Sequence, residues 1–75
     1  MEFNIVQICE KTYEIKLKDT NLNSFLEKVN DNITLKNKFF TQIKIEDITI
    51  KVFKDHKIIA NSNDLKTLNK KLSEI

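Results

Sequence analysis

The 75-residue chain contains no glycine, no proline, no arginine and no tryptophan, and only one alanine and one cysteine. Each absence excludes something. Without glycine there is no phosphate-cradling loop of the Walker or dinucleotide type. Without proline or glycine there is no collagen-like repeat, no polyproline ligand and no flexible Gly/Ser linker. A single thiol cannot form a disulfide within the chain. No apolar run approaches the roughly 20 residues that a membrane-spanning helix needs. The opening Met1-Glu2-Phe3-Asn4 lacks the basic region and apolar core of a secretory signal, so a cytoplasmic location is expected.

Lysine, isoleucine and asparagine are abundant instead, at 13, 11 and 9 residues. Residues with AT-rich codons (Phe, Tyr, Met, Ile, Asn, Lys) number 40, against one with GC-rich codons (Gly, Ala, Arg, Pro). Such a bias points to a gene from an AT-rich bacterium, phage or mobile element. It also has physical consequences. Lysine is a point charge and lacks the planar fork with which arginine reads guanine edges. A net charge of +2 is too small to imply a polyanionic partner. At 40% apolar residues the chain has enough to fold as one small domain over 1–75. A domain of this size buries only about 60% of its unfolded surface, so a dimer would add to its stability.

Periodicity gives the elements. Residues 2–8 alternate weakly, with Phe3, Ile5, Gln7 and Cys9 on one face and Asn4, Val6 and Ile8 on the other. Residues 13–18 alternate cleanly, with Tyr13, Ile15 and Leu17 inward. Glu10-Lys11-Thr12 joins the two as an antiparallel hairpin; none of these tolerates a positive φ cheaply, which favours a longer loop over a tight two-residue turn. The period then changes. Leu22, Phe25, Leu26 and Val29 mark one face of a helix over about 21–30. Asp19, Thr20 or Asn21 can cap its start, and Asn30 and Asn32 flank its end as left-handed candidates. Residues 33–38 read as a short strand or an irregular connection.

Alternation returns over 39–45, with Phe39, Thr41, Ile43 and Ile45 on one side and Phe40, Gln42 and Lys44 on the other. It recurs over 48–53, with Ile48, Ile50 and Val52 inward and Thr49, Lys51 and Phe53 outward. Lys54-Asp55-His56-Lys57 is a turn whose Asp and His tolerate left-handed geometry. Ile58-Ile59-Ala60 is a short strand. Asn61, Ser62 or Asn63 caps a last helix carrying Leu65, Leu68, Leu72 and Ile75 on one stripe, and Asn61 with Asp64 resembles a capping box. Shifting the chain by 43 residues aligns Ile5 with Ile48, Lys11 with Lys54, Ile15 with Ile58, Leu22 with Leu65 and Lys28 with Lys71. Segments 2–30 and 45–73 thus share a strand–turn–strand–helix layout. The expected fold is α+β: an antiparallel sheet of four or five strands with two helices packed on one face, in the order strand, strand, helix, an optional strand, three strands, helix.

Little chemistry is encoded. His56 is the only imidazole, and its catalytic partners would be Asp55 or Cys9. Adjacent turn residues cannot orient each other as base and orienter, and Cys9 falls in the core phase of its strand. Two potential zinc ligands fall short of the usual four. Glu46-Asp47 is an ordinary acidic turn, and the Asn32-Ile33-Thr34 sequon is incidental without a secretory route. No catalytic residue, cofactor or metal site is expected, and no membrane association.

The sheet face away from the helices is the informative feature. It should be polar, yet the alternation puts Val6, Ile8, Phe40 and Phe53 there, and Ile59 too if the short strand keeps phase. An apolar patch ringed by lysine marks a partner surface. The expected function is therefore a small non-enzymatic protein-binding module, such as an adaptor, inhibitor or regulator, binding another protein or itself as a homodimer through these residues. The alternative is a single-stranded nucleic-acid-binding module, with the phenylalanines as stacking platforms and Lys16, Lys18, Lys44 and Lys51 on phosphates.

Overall fold

The computed structural model describes residues 2–19 and 21–75. Strands β1 (Phe3–Cys9) and β2 (Thr12–Leu17) lead into helix α1 (Leu22–Lys28) and a 3-10 turn (Asn30–Asn32). Strands β3 (Ile33–Lys36), β4 (Phe40–Ile45), β5 (Ile48–Phe53) and β6 (Ile58–Asn61) follow, then helix α2 (Leu65–Ser73). All neighbouring strands pair antiparallel in one sheet of order β1-β2-β6-β5-β4-β3. The α+β class holds, and the described residues form six strands, not four or five. The sixth comes from the ambiguous segment: Ile33–Lys36 pairs with β4 and forms one edge of the sheet.

Side-chain alternation explains the core. Ile15, Ile58 and Val52 are cross-strand neighbours, and Tyr13, Ala60, Ile50 and Ile43 form the next row. All seven are buried in one cluster with Phe25 and Val29 of α1 and Leu68 and Leu72 of α2. Full burial of each larger side chain contributes about 1.5–3 kcal/mol. Helix α1 connects β2 to the opposite edge of the sheet, and the chain then returns by a β3-β4-β5-β6 meander. The two hairpin-plus-helix units meet along β2 and β6, where Ile15 faces Ile58.

Several local expectations are corrected. The β1–β2 connection is a two-residue turn, Glu10-Lys11, not a longer loop, and Lys11 takes φ 63°. A bulge accompanies it: Gln7 faces Tyr13, Cys9 faces Thr12, and Ile8 is the extra residue. That insertion moves Cys9 out of the core phase, and its thiol is exposed. Phe39 does not join the inner row with Thr41, Ile43 and Ile45. It sits in the β3–β4 turn because the Asn37 carboxamide oxygen accepts from the N–H groups of both Phe39 (2.7 Å) and Phe40 (3.0 Å). This Asx-type turn delays the start of β4 to Phe40.

The helix ends also differ in detail. Asn21 caps α1, accepting from the Ser24 N–H at 2.8 Å, whereas Asp19 accepts from the Glu2 N–H. Thr20, the remaining candidate, lies outside the described residues. Helix α1 ends at Lys28 and runs into the 3-10 turn, with neither Asn30 nor Asn32 left-handed. Helix α2 is capped by Asp64, whose carboxylate accepts from the Thr67 N–H at 2.6 Å; Asn61 ends β6, and the Ser62 hydroxyl donates to the Asp64 carbonyl. Leu65 falls at the start of α2 and is 49% exposed, so only Leu68 and Leu72 of its stripe are core. Among the described residues no helix is long and apolar enough to cross a membrane.

Candidate functional site

The antiparallel registers fix what the outer sheet face presents. One row crosses all six strands: Val6, Glu14, Ile59, Lys51, Gln42 and Leu35. Polar residues separate its three apolar ones, so no apolar neighbours touch along it. A parallel row, Cys9, Thr12, Asn61, Thr49 and Lys44, is polar throughout, with the Thr12 hydroxyl donating to the Asn61 side chain at 3.1 Å. The apolar concentration lies on the opposite side of the mixed row. There Phe40 of β4 faces Phe53 of β5, with ring centroids 5.7 Å apart and planes tilted by 54°. Tilted contact at this separation is an attractive arrangement for aromatic pairs.

This pair does not stand alone. Phe53, Ile59 and Phe39 line one shallow groove of about 680 Å³, together with Lys54, Asp55 and Lys57. Ile59 is diagonal to Phe53 across the β5–β6 pair, within the reach of an aromatic side chain. Phe39 is the most exposed large apolar residue of the group, at 63%. The Asn37 turn that removes it from the core places it on this groove. Periodicity alone puts Phe39 inside; the signal that corrects it is an asparagine two residues ahead of an aromatic pair.

The groove is rimmed by ammonium groups. The Lys51 Nζ lies 5.2 Å from the centre of the Phe40 ring, and the Lys38 Nζ lies 5.2 Å from that of Phe39. Lys54 and Lys57 come from the β5–β6 turn, where the Asp55 carboxylate accepts from the Lys57 N–H and His56 holds φ 70°. Neither Lys54 nor Lys57 alternates within a strand, which is why the pattern does not single them out.

The other candidate residues lie elsewhere. Val6 (45% exposed) and Ile8 (50% exposed) are on β1, three strands from Phe53 and roughly 14 Å away at the usual strand spacing of ~4.8 Å. The structure thus brings Phe40 and Phe53 together and leaves Val6 and Ile8 at an edge. Lys16 is exposed beside Asn4, Lys18 follows the end of β2, and Lys44 belongs to the polar row. Lys51 is the one member of the lysine set that touches the aromatic cluster.

Potential catalytic groups are dispersed. Cys9 ends its strand beside Thr12, whereas His56 lies in the turn beyond Phe53, at the opposite end of the sheet. Asp55 is engaged with its own turn. Among the described residues no group of three or more His, Cys, Asp or Glu side chains comes together. No protein-family model matches the chain, and neither curated proteins nor solved structures give a match.

Proposed function

We propose that the chain is a non-enzymatic protein-binding module, an adaptor, inhibitor or regulator, whose contact surface is centred on the outer-face groove. The observation that carries this reading is the cluster of exposed Phe39 with half-buried Phe40, Phe53 and Ile59 on the face that the helices do not cover. Aromatic residues at the centre with a polar, charged rim are the usual anatomy of an interface. Lysines on that rim suit a partner that presents an apolar segment flanked by carboxylates.

Co-purification from a lysate of the source organism tests this. Wild-type chain should retain a specific protein, and Phe39→Lys with Phe53→Lys should release it while the variant still unfolds cooperatively. Leu65→Lys, at an exposed apolar position on α2, should retain it. Retention by the doubly substituted chain would overturn the reading.

A second reading draws on the lysines around the aromatic pair: binding of single-stranded nucleic acid by base stacking. The Lys51 ammonium over Phe40 and the 54° tilt of the rings leave fewer open ring faces than a stacking platform offers. Retention of an oligonucleotide at low salt, lost steeply as salt rises, would favour this second reading over the first.

A further inference from the structure

The two edges of the sheet are built differently. Edge strand β3 is four residues long, is irregular at Thr34 and carries Lys36, with Lys38 just beyond it. Shortness, bulges and lysine are the devices by which natural sheets block edge-to-edge pairing. Edge strand β1 is seven residues long, pairs only with β2, and from Phe3 to Cys9 contains no charged residue. Its one irregularity, at Ile8, lies near the turn and leaves residues 3–7 regular.

The free hydrogen-bonding groups of β1 can be assigned. The Lys18 N–H donates to the Glu2 carbonyl at 3.0 Å, and the register pairs Asn4 with Lys16 and Val6 with Glu14 in the same phase. Antiparallel ladders alternate, so Asn4 and Val6 direct their backbone groups to β2. Phe3, Ile5 and Gln7 direct theirs to the open edge. The pattern is symmetric about Ile5. A second copy running antiparallel, with Ile5 against its own equivalent and Phe3 against Gln7, would satisfy all three N–H and all three C=O groups on both chains.

Side chains agree with this register. Phe3 and Ile5 are half-buried flanks of the core, and a second copy would extend the row that contains Ile15, Ile58 and Val52. On the outer face Asn4 would stand beside Val6 of the other copy, with no like charges opposed.

We infer that β1 is a homodimerisation edge, joining two copies through antiparallel β1–β1 pairing about a two-fold axis at Ile5 into one continuous sheet. The occupant is a second copy because the uncharged strand is self-complementary about its own centre, as a two-fold interface requires. The partner groove around Phe53 lies three strands away and stays open on both copies. The inference is therefore independent of what that groove binds.

Sedimentation over a series from micromolar to near-millimolar chain tests it, with the 8.9 kDa monomer as reference. Two charge variants fix the register: Asn4→Lys with Val6→Lys, and Asn4→Glu with Val6→Glu. Both positions are exposed, and on β2 they face Lys16 and Glu14, so each variant gains one favourable and one unfavourable neighbour within its own chain. Wild type should dimerise, each variant alone should be monomeric with cooperative unfolding retained, and an equimolar mixture should recover the dimer. In the wild-type dimer the amides of Phe3, Ile5 and Gln7 should gain protection from hydrogen exchange. A wild-type chain that stays monomeric throughout, or a dimer that both charge variants retain, would overturn the inference.

Discussion

Lys11, Glu46 and His56 each hold a positive φ that glycine would adopt without steric cost. A chain without glycine must place these angles on residues with a Cβ. Lys11 is the cleanest probe, because its turn is exposed and its side chain makes no ion pair among the described residues, whereas Glu46 is bonded to Lys71. Lys11→Gly should raise stability by about 1 kcal/mol, since the left-handed conformation costs roughly that much with a side chain present. The check is the urea midpoint, which should rise at constant slope; an unchanged or lower midpoint would show that the turn is unstrained. The left-handed His56 was legible in the sequence because Asp-His in a four-residue turn is a recognisable signal. Lys11 was not legible, because lysine has no preference for that region and the hairpin register imposes it. Phe39 and Phe40 are adjacent and identical, so alternation could not say which one starts the strand; the Asn37 side chain decides it.

Among the elements, β4 and β5 were the most legible, since clean alternation placed Ile43, Ile48, Ile50 and Val52 inside and Phe40 and Phe53 outside. Strand β1 was legible only as far as Gln7, because a bulge leaves no trace in a hydrophobic pattern. The cap of α2 was misplaced for a physical reason. Asn61 is already used in strand pairing with Thr12 and Thr49, and the Ser62 hydroxyl is drawn to the Asp64 carbonyl, which leaves Asp64 to cap. The Thr67 N–H, and then its hydroxyl, hold the Asp64 carboxyl below its ordinary value. A carboxylate whose folded pKa is depressed stabilises the fold fully above its unfolded pKa and loses that contribution as pH falls through the folded one. Asn at this position keeps a capping oxygen that does not titrate. Asp64→Asn should therefore lose less thermal stability than wild type as pH is lowered through the carboxylate range. Parallel melting curves across that range, superimposing for the two proteins, would contradict the assignment. At the other end of α2, Lys71 bonds Glu46 at 2.9 Å and ties the helix to the β4–β5 turn; that bond raises the lysine pKa.

For the whole molecule, the helices cover one face of a six-stranded sheet and leave the other to solvent. Period-two patterning identified Phe40 and Phe53 on that open face but not Phe39. It could not show that Phe40 and Phe53 are cross-strand partners, nor that Val6 and Ile8 lie at a distant edge, because strand order is not written in the spacing of one chain. The groove of Phe39, Phe53 and Ile59 exists only because β6 inserts between β2 and β5 and the Asn37 turn presents Phe39. A partner seated there would shield these rings without touching the helices. Oxidative side-chain footprinting of the chain, alone and in complex with any protein it captures in the co-purification, measures this directly. Modification of Phe39 and Phe53 should fall sharply in the complex while that of Leu65 on α2 stays unchanged; protection of Leu65 with Phe39 and Phe53 still fully modified would contradict the account.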